Sequence, residues 1–361
     1  MNQLHLHLAH LSHNIKTIRS LIKKETKLVA VVKANAYGAG TVDIAKHLVS
    51  NGVDSLAVAY ASEGKQLRLA GIEVPIMVFY PQVDQFHTLI QAKLEPALYH
   101  PDHFARFDTE VKKASLSSYP IHLKCNTGLN RIGLSPSECL DVLTHKNNFP
   151  FEIKSIYSHL GATEEARPHE FTETQIERFL NLKEHATACF DTPPLFHLLN
   201  TSGVFNYPEY QFDMVRVGIG LNGYANHPEW DKKLKPIAEL STSIAQIHHV
   251  KKGESVGYNQ GWIAPKDSQI AVLPIGHADG IARHFGNGKG MVWINGKKAP
   301  FVGNVCMDML MVEVTDIDCK TNDRAVFFDT THPASSLAKA GGTISYELLT
   351  GLSNRIERIV V

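Results

Sequence analysis

Leu28-Val29-Ala30-Val31-Val32-Lys33-Ala34-Asn35-Ala36-Tyr37-Gly38-Ala39-Gly40 is the stretch that sets the fold class of this chain. Leu28–Val32 is apolar without alternation, the pattern of a strand buried on both faces. A lysine closes the strand, a glycine-rich turn follows, and a helix is expected to begin near Thr41. The same rhythm recurs up to Leu234, in the runs Leu28–Lys33, Ser55–Ala59, Ile76–Tyr80, Pro96–Tyr99, Ile121–Cys125, Ile153–His159, Leu195–Asn200 and Phe212–Val217. Amphipathic segments lie between most of them, such as Gln175–Ala188 with Ile176, Phe179, Leu180 and Leu182. Strand–helix alternation implies βαβ units and a parallel sheet. Eight runs favour a closed (β/α)8 TIM-like barrel over an open sheet, placed at residues 11–234.

Past Leu234 the rhythm changes to short strand-like runs: Ile237–Ile247, Ser255–Tyr258, Ile270–Ile275, Met291–Ile294, Ala299–Val302, Leu310–Val314 and Ala325–Phe328. Ile294-Asn295-Gly296-Lys297 is a hairpin signal, because Asn-Gly tolerates the positive φ of a type I′ turn. Residues 235–361 are therefore expected to form an all-β or mainly-β C-terminal domain. It is joined by an N-terminal strand at 2–10, where Leu4-His5-Leu6-His7-Leu8 alternates with period two. His5 and His7 fall on the other face, and a solvated strand face accounts for them without a metal.

With 361 residues, 43% of them hydrophobic and 20% charged, a large core is expected and disorder is not. Thirty-six basic residues balance 36 acidic ones, so neither nucleic acid nor an anionic membrane surface is indicated as a main partner. No run approaches the ~18 apolar residues of a spanning helix. The first residues do not read as a secretory signal. Cys125, Cys139, Cys189, Cys306 and Cys319 are scattered and form no CxxC pair, which suits reduced thiols in a cytoplasmic protein. Twenty histidines include no HExxH or HxxEH, so no metal is expected.

The chemistry-bearing candidates stand at strand ends. Lys33, desolvated where a barrel strand stops, has reason to lose its proton and act as nucleophile or base, although a lysine snorkelling from the rim fits the same position. His159, Asn200 and Arg216 also end buried-looking strands, and together they would converge on one pocket. Gly218 and Gly220 suit a phosphate, though a lone GxG is a weak signal.

These residues fall into an ordered set of motifs. Ala30-Val31-Val32-Lys33-Ala34-Asn35-Ala36-Tyr37-Gly38 is followed by Thr127-Gly128-Leu129-Asn130-Arg131-Ile132-Gly133, Arg216-Val217-Gly218-Ile219-Gly220-Leu221, Gly257-Tyr258-Asn259, Ile275-Gly276-His277-Ala278-Asp279-Gly280 and Val305-Cys306-Met307-Asp308. In this order and over essentially the whole chain, the sequence resembles the alanine racemase family, which are fold type III pyridoxal 5'-phosphate enzymes. The resemblance implies that Lys33 carries the cofactor and exchanges the proton on the D face. It makes Tyr258 the base on the L face, reaching the site from a partner subunit, so a homodimer with shared active sites is implied. Arg216 would face the cofactor's ring nitrogen, with His159 supporting it. Tyr37, Thr201, Gly218, Ile219 and Tyr346 would hold the phosphate, with Asn200 at the same edge. Arg131 would lie by the cofactor's phenolic oxygen and the substrate carboxylate, with Met307, through its backbone N–H, and Cys306 beside that carboxylate from the partner. Lys124 corresponds to a lysine that several members carbamylate; an ordinary lysine paired with an acid is the alternative. Asp308 is expected to be structural at its turn.

The implied activity is interconversion of L- and D-alanine, a small-molecule amino-acid substrate, supplying D-alanine for peptidoglycan. The chain departs from the family pattern at Ala39, Thr201, Asn222 and the C-terminus; His277, where a tyrosine is common, puts the substrate corridor and substrate preference in question. A decarboxylase of the same fold type is opposed by Arg216 and by Cys306-Met307-Asp308. A barrel-only cofactor carrier is opposed by the long β domain with Tyr258.

Overall fold

The structure is a computed structural model that describes residues 2–361. The chain opens with strand β1 (Gln3–Leu6) and then enters a barrel of eight parallel strands: β2 (Lys27–Val31), β3 (Ser55–Val58), β4 (Ile76–Val78), β5 (Glu95–Leu98), β6 (Tyr119–Lys124), β7 (Phe151–Tyr157), β8 (Leu195–His197) and β9 (Met214–Val217). Closure is made where β2 pairs with both β3 and β9. Each of the eight apolar runs overlaps one of these strands, and the amphipathic Gln175–Ala188 segment lies almost wholly in the helix Glu170–Thr187. Val29, Ala30, Leu56, Ile76, Leu98, Leu123, Ile156 and Val215 have no exposed surface, as parallel strands covered on both faces require. The helix after β2 begins at Thr41.

The rest of the strands are β10 (Ala238–Ser243), β11 (Gln246–Val250), β12 (Ser255–Val256), β13 (Trp262–Ile263), β14 (Ser268–Leu273), β15 (Met291–Ile294), β16 (Lys297–Val302), β17 (Leu310–Glu313), β18 (Arg324–Phe328) and β19 (Glu357–Val360). Nine strands share one sheet in the order β11-β14-β17-β16-β15-β18-β10-β1-β19, and β12 and β13 pair separately. The hairpin at Asn295-Gly296 is present: both residues have positive φ and Ile294 pairs with Lys297.

Four local expectations are corrected. Ile237–Ile247 is not one strand; it breaks where Ile244 turns inward, and its halves pair with different neighbours, β18 and β14. The strand at Ser255–Tyr258 stops at Val256, because Gly257 turns with φ 75° into a short 3-10 turn at Tyr258–Gln260. The N-terminal strand ends at Leu6, and Leu8 already starts a helix whose Leu11, Ile15 and Ile18 are buried with helical spacing. The C-terminal part is also not all-β, since it carries the helices Ala334–Ala340 and Ser345–Thr350. They are short, and their mixed small and polar residues give little periodic signal.

Candidate active site

Lys33 follows β2 and begins a turn with unusual backbone. Ala34, Asn35, Ala36 and Tyr37 all lie in the left-handed region, with φ of 53°, 55°, 50° and 57°. Each such residue costs about 1–2 kcal/mol, so the turn must be held from outside. Glu63 supplies one brace: one carboxylate oxygen accepts from the amide of Ala34 at 2.7 Å, and the other accepts from Ala59 at 2.7 Å and Tyr60 at 3.2 Å. Asn35 Oδ1 accepts from the amide of Thr41 at 3.0 Å, and the Arg358 guanidinium donates to the carbonyl of Gly38 at 3.1 and 3.2 Å. Gly38 is obligatory, since a Cβ there would meet the carbonyl oxygen of Leu349 at 2.1 Å.

The turn aims Lys33 into a cavity of about 300 Å³. Tyr37, Lys124, Arg131, His159, Asn200, Thr201, Arg216, Gly218, Ile219 and Tyr346 line it too, so the structure gathers every barrel residue expected in the site. Four cationic-type side chains (Lys33, Lys124, Arg131 and Arg216) face this space with no aspartate or glutamate among the lining residues. Burial first, then Arg131, pushes Lys33 below the ordinary lysine range, and Glu63 opposes them. Burial brings Lys124 down to about 7, reinforced by Arg216 and Arg131. No acid pairs with Lys124 among the described residues. Its Nζ lies 5.0 Å over the Tyr157 ring and donates to the carbonyl of Cys125 at 3.2 Å.

Arg216 is 3% exposed and tied on one side only. Nη2 donates to the carbonyls of Ser158 at 2.7 Å and Leu198 at 3.0 Å, and Nη1 donates to Nδ1 of His197 at 2.6 Å. Its Nε has no partner among the described residues. Burial lowers it only to about 10, so it stays protonated at neutral pH. His159 lies farther away, 3.4 Å from Nη2, so the nearer imidazole on this arginine is His197, which sequence reasoning passed over inside an apolar run. Burial and Arg216 hold both rings well below the usual imidazole range, hence neutral.

At the other edge, Thr201 Oγ1 accepts from the amides of Gly218 at 3.3 Å and Gly220 at 3.2 Å, while the amide of Ile219 has no partner among the described residues. Asn200 Oδ1 accepts from Gly203 at 2.9 Å and from Thr163 Oγ1 at 3.0 Å. A Cβ on Gly218 would lie 2.0 Å from the Tyr37 hydroxyl, so glycine alone lets that phenol approach the backbone. Tyr346 Oη accepts from Asn226 at 3.1 Å. Burial raises Tyr346 to about 12 and Tyr37 beyond the usual phenol range, so both keep their protons.

Tyr258, Cys306 and Met307 are not part of this pocket. They share a separate cavity of about 700 Å³ with His248, Asp308 and Met309. Tyr258 is 68% and Met307 60% exposed. The Met307 amide has no partner among the described residues, whereas its carbonyl accepts from Ala278 at 3.0 Å and that of Cys306 accepts from His277 at 2.9 Å. Asp308 pairs with Arg355 at 2.8 Å, which anchors its turn, and the His277 side chain is exposed. Glu63 escaped the sequence reading although a signal existed: it stands three residues after Tyr60 at the N-terminus of a helix, where a carboxylate caps backbone amides.

Two family models match the chain. The model described as alanine racemase, N-terminal domain, matches residues 6–226, and that for alanine racemase, C-terminal domain, matches residues 237–360. The chain belongs to the alanine racemase family. The alanine racemase of Treponema denticola is 34% identical over 99% of this chain and 97% of its own length. Among solved structures, the alanine racemase of Clostridium difficile superposes with a TM-score of 0.93 at 29% identity, over 100% of this chain and 95% of that one. The alanine racemase of Bartonella henselae, solved with covalently bound pyridoxal phosphate, gives a TM-score of 0.89 at 29% identity over 100% and 99%.

Proposed function

We propose that this chain is a pyridoxal-phosphate-dependent alanine racemase that interconverts L- and D-alanine by two-base proton transfer, in a homodimer whose active sites are shared between subunits. One observation carries the reading: a barrel pocket with a strand-end lysine of depressed basicity, a one-sided arginine and no carboxylate. The pocket's residues fit the cofactor. Its hydroxyl donors and the free Ile219 amide suit a phosphate dianion, and Lys33 stands where the aldehyde end would be held. When bound, pyridoxal phosphate supplies an electron sink that acidifies the Cα–H bond of an amino acid. The protein supplies the rest. Arg216, with its Nε–H free, would hold the ring nitrogen without giving up its proton, which would keep the sink moderate and restrain side reactions. Lys33 Nζ, easily freed of its proton, exchanges the Cα proton on the D face. Tyr258 Oη of the partner serves the L face, while Arg131 and the Met307 amide of the partner, with Cys306 beside it, orient the substrate carboxylate.

A shared site is supported by the placement of Tyr258 and Met307 in a cavity of their own, with large apolar surfaces left open. A two-fold dimer lets each β domain cover the other barrel. Carbamylation of Lys124 is supported by its low basicity and lack of an acid partner; the carbamate charge would lie toward Arg131. Incubation with ¹³C-bicarbonate should place one carbamate carbon on the wild type and none on Lys124→Ala. We place the enzyme in the cytoplasm, supplying D-alanine for peptidoglycan, a setting compatible with its five free thiols. The purified protein with added pyridoxal phosphate should racemise alanine. Carbon dioxide release from a basic amino acid without racemisation would overturn the reading in favour of a decarboxylase.

A further inference from the structure

Five side chains on five successive barrel strands join into one hydrogen-bond chain. Arg216 (β9) reaches His197 Nδ1 (β8) at 2.6 Å, and His197 Nε2 lies 2.8 Å from Ser155 Oγ (β7). Ser155 Oγ lies 2.7 Å from His122 Nδ1 (β6), whose Nε2 lies 3.0 Å from Glu95 Oε2 (β5). The three middle members are buried, His197 and Ser155 completely. Arg216 faces the active-site pocket. Glu95 and His122 line a different cavity, of about 920 Å³, at the opposite end of the barrel, among the starts of the strands.

The two ends fix the direction of every bond between them. A guanidinium only donates and a carboxylate only accepts. His197 must therefore offer its Nδ1 lone pair to Arg216 and carry its proton on Nε2, which donates to Ser155. Ser155 then donates its own hydrogen to His122 Nδ1, and His122 donates from Nε2 to Glu95. With both rings neutral, the two histidines take the same tautomer, and each of the five groups is satisfied in one arrangement only. A reversed chain would set an N–H of His197 against the N–H of Arg216 at 2.6 Å. Burial works to raise Glu95, but the hydrogen bond from His122 and then the charge that His122 carries when protonated, with help from Lys154 and Arg68, hold it below the ordinary glutamate range.

We propose that Glu95 is a positioning residue for Arg216: from the far end of the barrel it anchors His122 and Ser155 so that Ser155 Oγ accepts from His197 Nε2–H, which fixes the imidazole that Arg216 meets and leaves the arginine's free N–H groups aimed into the pocket. This deepens the racemase reading and rests on it for the role of Arg216, whereas the chain itself is tested independently of activity. ¹⁵N magic-angle-spinning spectra of histidine-labelled protein, with and without cofactor, should show His197 and His122 each unprotonated at Nδ1 and protonated at Nε2. His197→Asn and His122→Asn assign the signals. An Nδ1–H on His197 in the wild type overturns the proposal without any need for a variant at Glu95. Glu95→Leu, which removes the acceptor, should move the His197 signals although the two residues do not touch, and should lower kcat about tenfold with KM within about twofold. Glu95→Gln keeps an acceptor oxygen and should restore both the spectrum and kcat. Ser155→Ala, cutting the chain in the middle, should lower kcat at least as much as Glu95→Leu. If Glu95→Leu shifts only His122, with His197 and kcat unchanged, nothing is transmitted and the proposal fails. A wild type with the expected tautomers but no racemase activity would instead condemn the functional reading and leave the chain standing.

Discussion

The pocket around Lys33 and the cavity around Tyr258 are built on opposite plans. In the barrel, Arg216 is 3% exposed and tied through both Nη atoms to the neighbouring strands, and Lys33 is driven toward its neutral form by burial and by Arg131. On the β domain, Tyr258 is 68% exposed and its neighbours Met307 and Met309 show large apolar surfaces. A base can be tuned only where water is excluded and charges are placed. The barrel meets that condition within one chain, whereas the Tyr258 cavity meets it only when another surface covers it. The difference teaches that folding finishes one half of the proposed chemistry and leaves the other half open, which is where the proposed dimer would act.

The largest effect is expected at the finished half. Lys33→Ala should lower racemisation on the order of 10⁴-fold, and borohydride should fix the cofactor to the Lys33 peptide in the wild type. Label on another lysine would move the centre of the barrel pocket elsewhere. Arg216→Glu comes next. It exchanges a donor that keeps its proton for a carboxylate that favours a protonated ring nitrogen. Racemisation should slow by about 10²–10³-fold, with new visible absorbance and some transamination in the presence of alanine. Parent-like rates with no new band would show that the one-sided arginine is only structural.

Tyr258→Phe probes the unfinished half. Proton removal from L-alanine should fall by about 10²-fold and that from D-alanine by less, as read by isotope exchange before equilibrium, with the overall equilibrium constant unchanged. Equal loss on both faces would erase the division of labour between the two regions. The smallest effect is expected at Glu63, whose charge raises Lys33 against burial and Arg131. Glu63→Gln removes that support, so the pH midpoint for modifying Lys33 with an amine reagent in cofactor-free protein should move down. An upward movement would contradict the electrostatics assigned to the turn.

How much of this was legible in the sequence follows the same divide. The barrel strands were readable because parallel strands covered on both faces leave unbroken apolar runs, and Lys33, His159, Asn200 and Arg216 stood at their ends. The left-handed turn at Ala34–Tyr37 was not readable: only Asn35 takes that conformation readily while its three neighbours do not, and its braces, Glu63 and Arg358, come from far along the chain. The chain from Glu95 through His122 and Ser155 to His197 was invisible for a similar reason, because its members become neighbours only when five strands close side by side. In the β domain, the run Ile237–Ile247 hid a break because Ile244 is as apolar as the strands around it. Tyr258 was legible only through its motif. Its exposure and its distance from the barrel pocket needed the fold.

The shared site is tested most directly by mixing two dead proteins. Lys33→Ala and Tyr258→Ala subunits are each expected to be inactive, and a hybrid dimer of the two contains one site with both bases intact. With random exchange at equal concentrations, half the dimers are hybrids with one working site of two, so activity should return to about 25% of wild type by symmetry. No recovery, with subunit exchange demonstrated in the same sample, would mean that both bases come from one chain and that the cavity around Tyr258 is not completed by a partner's barrel.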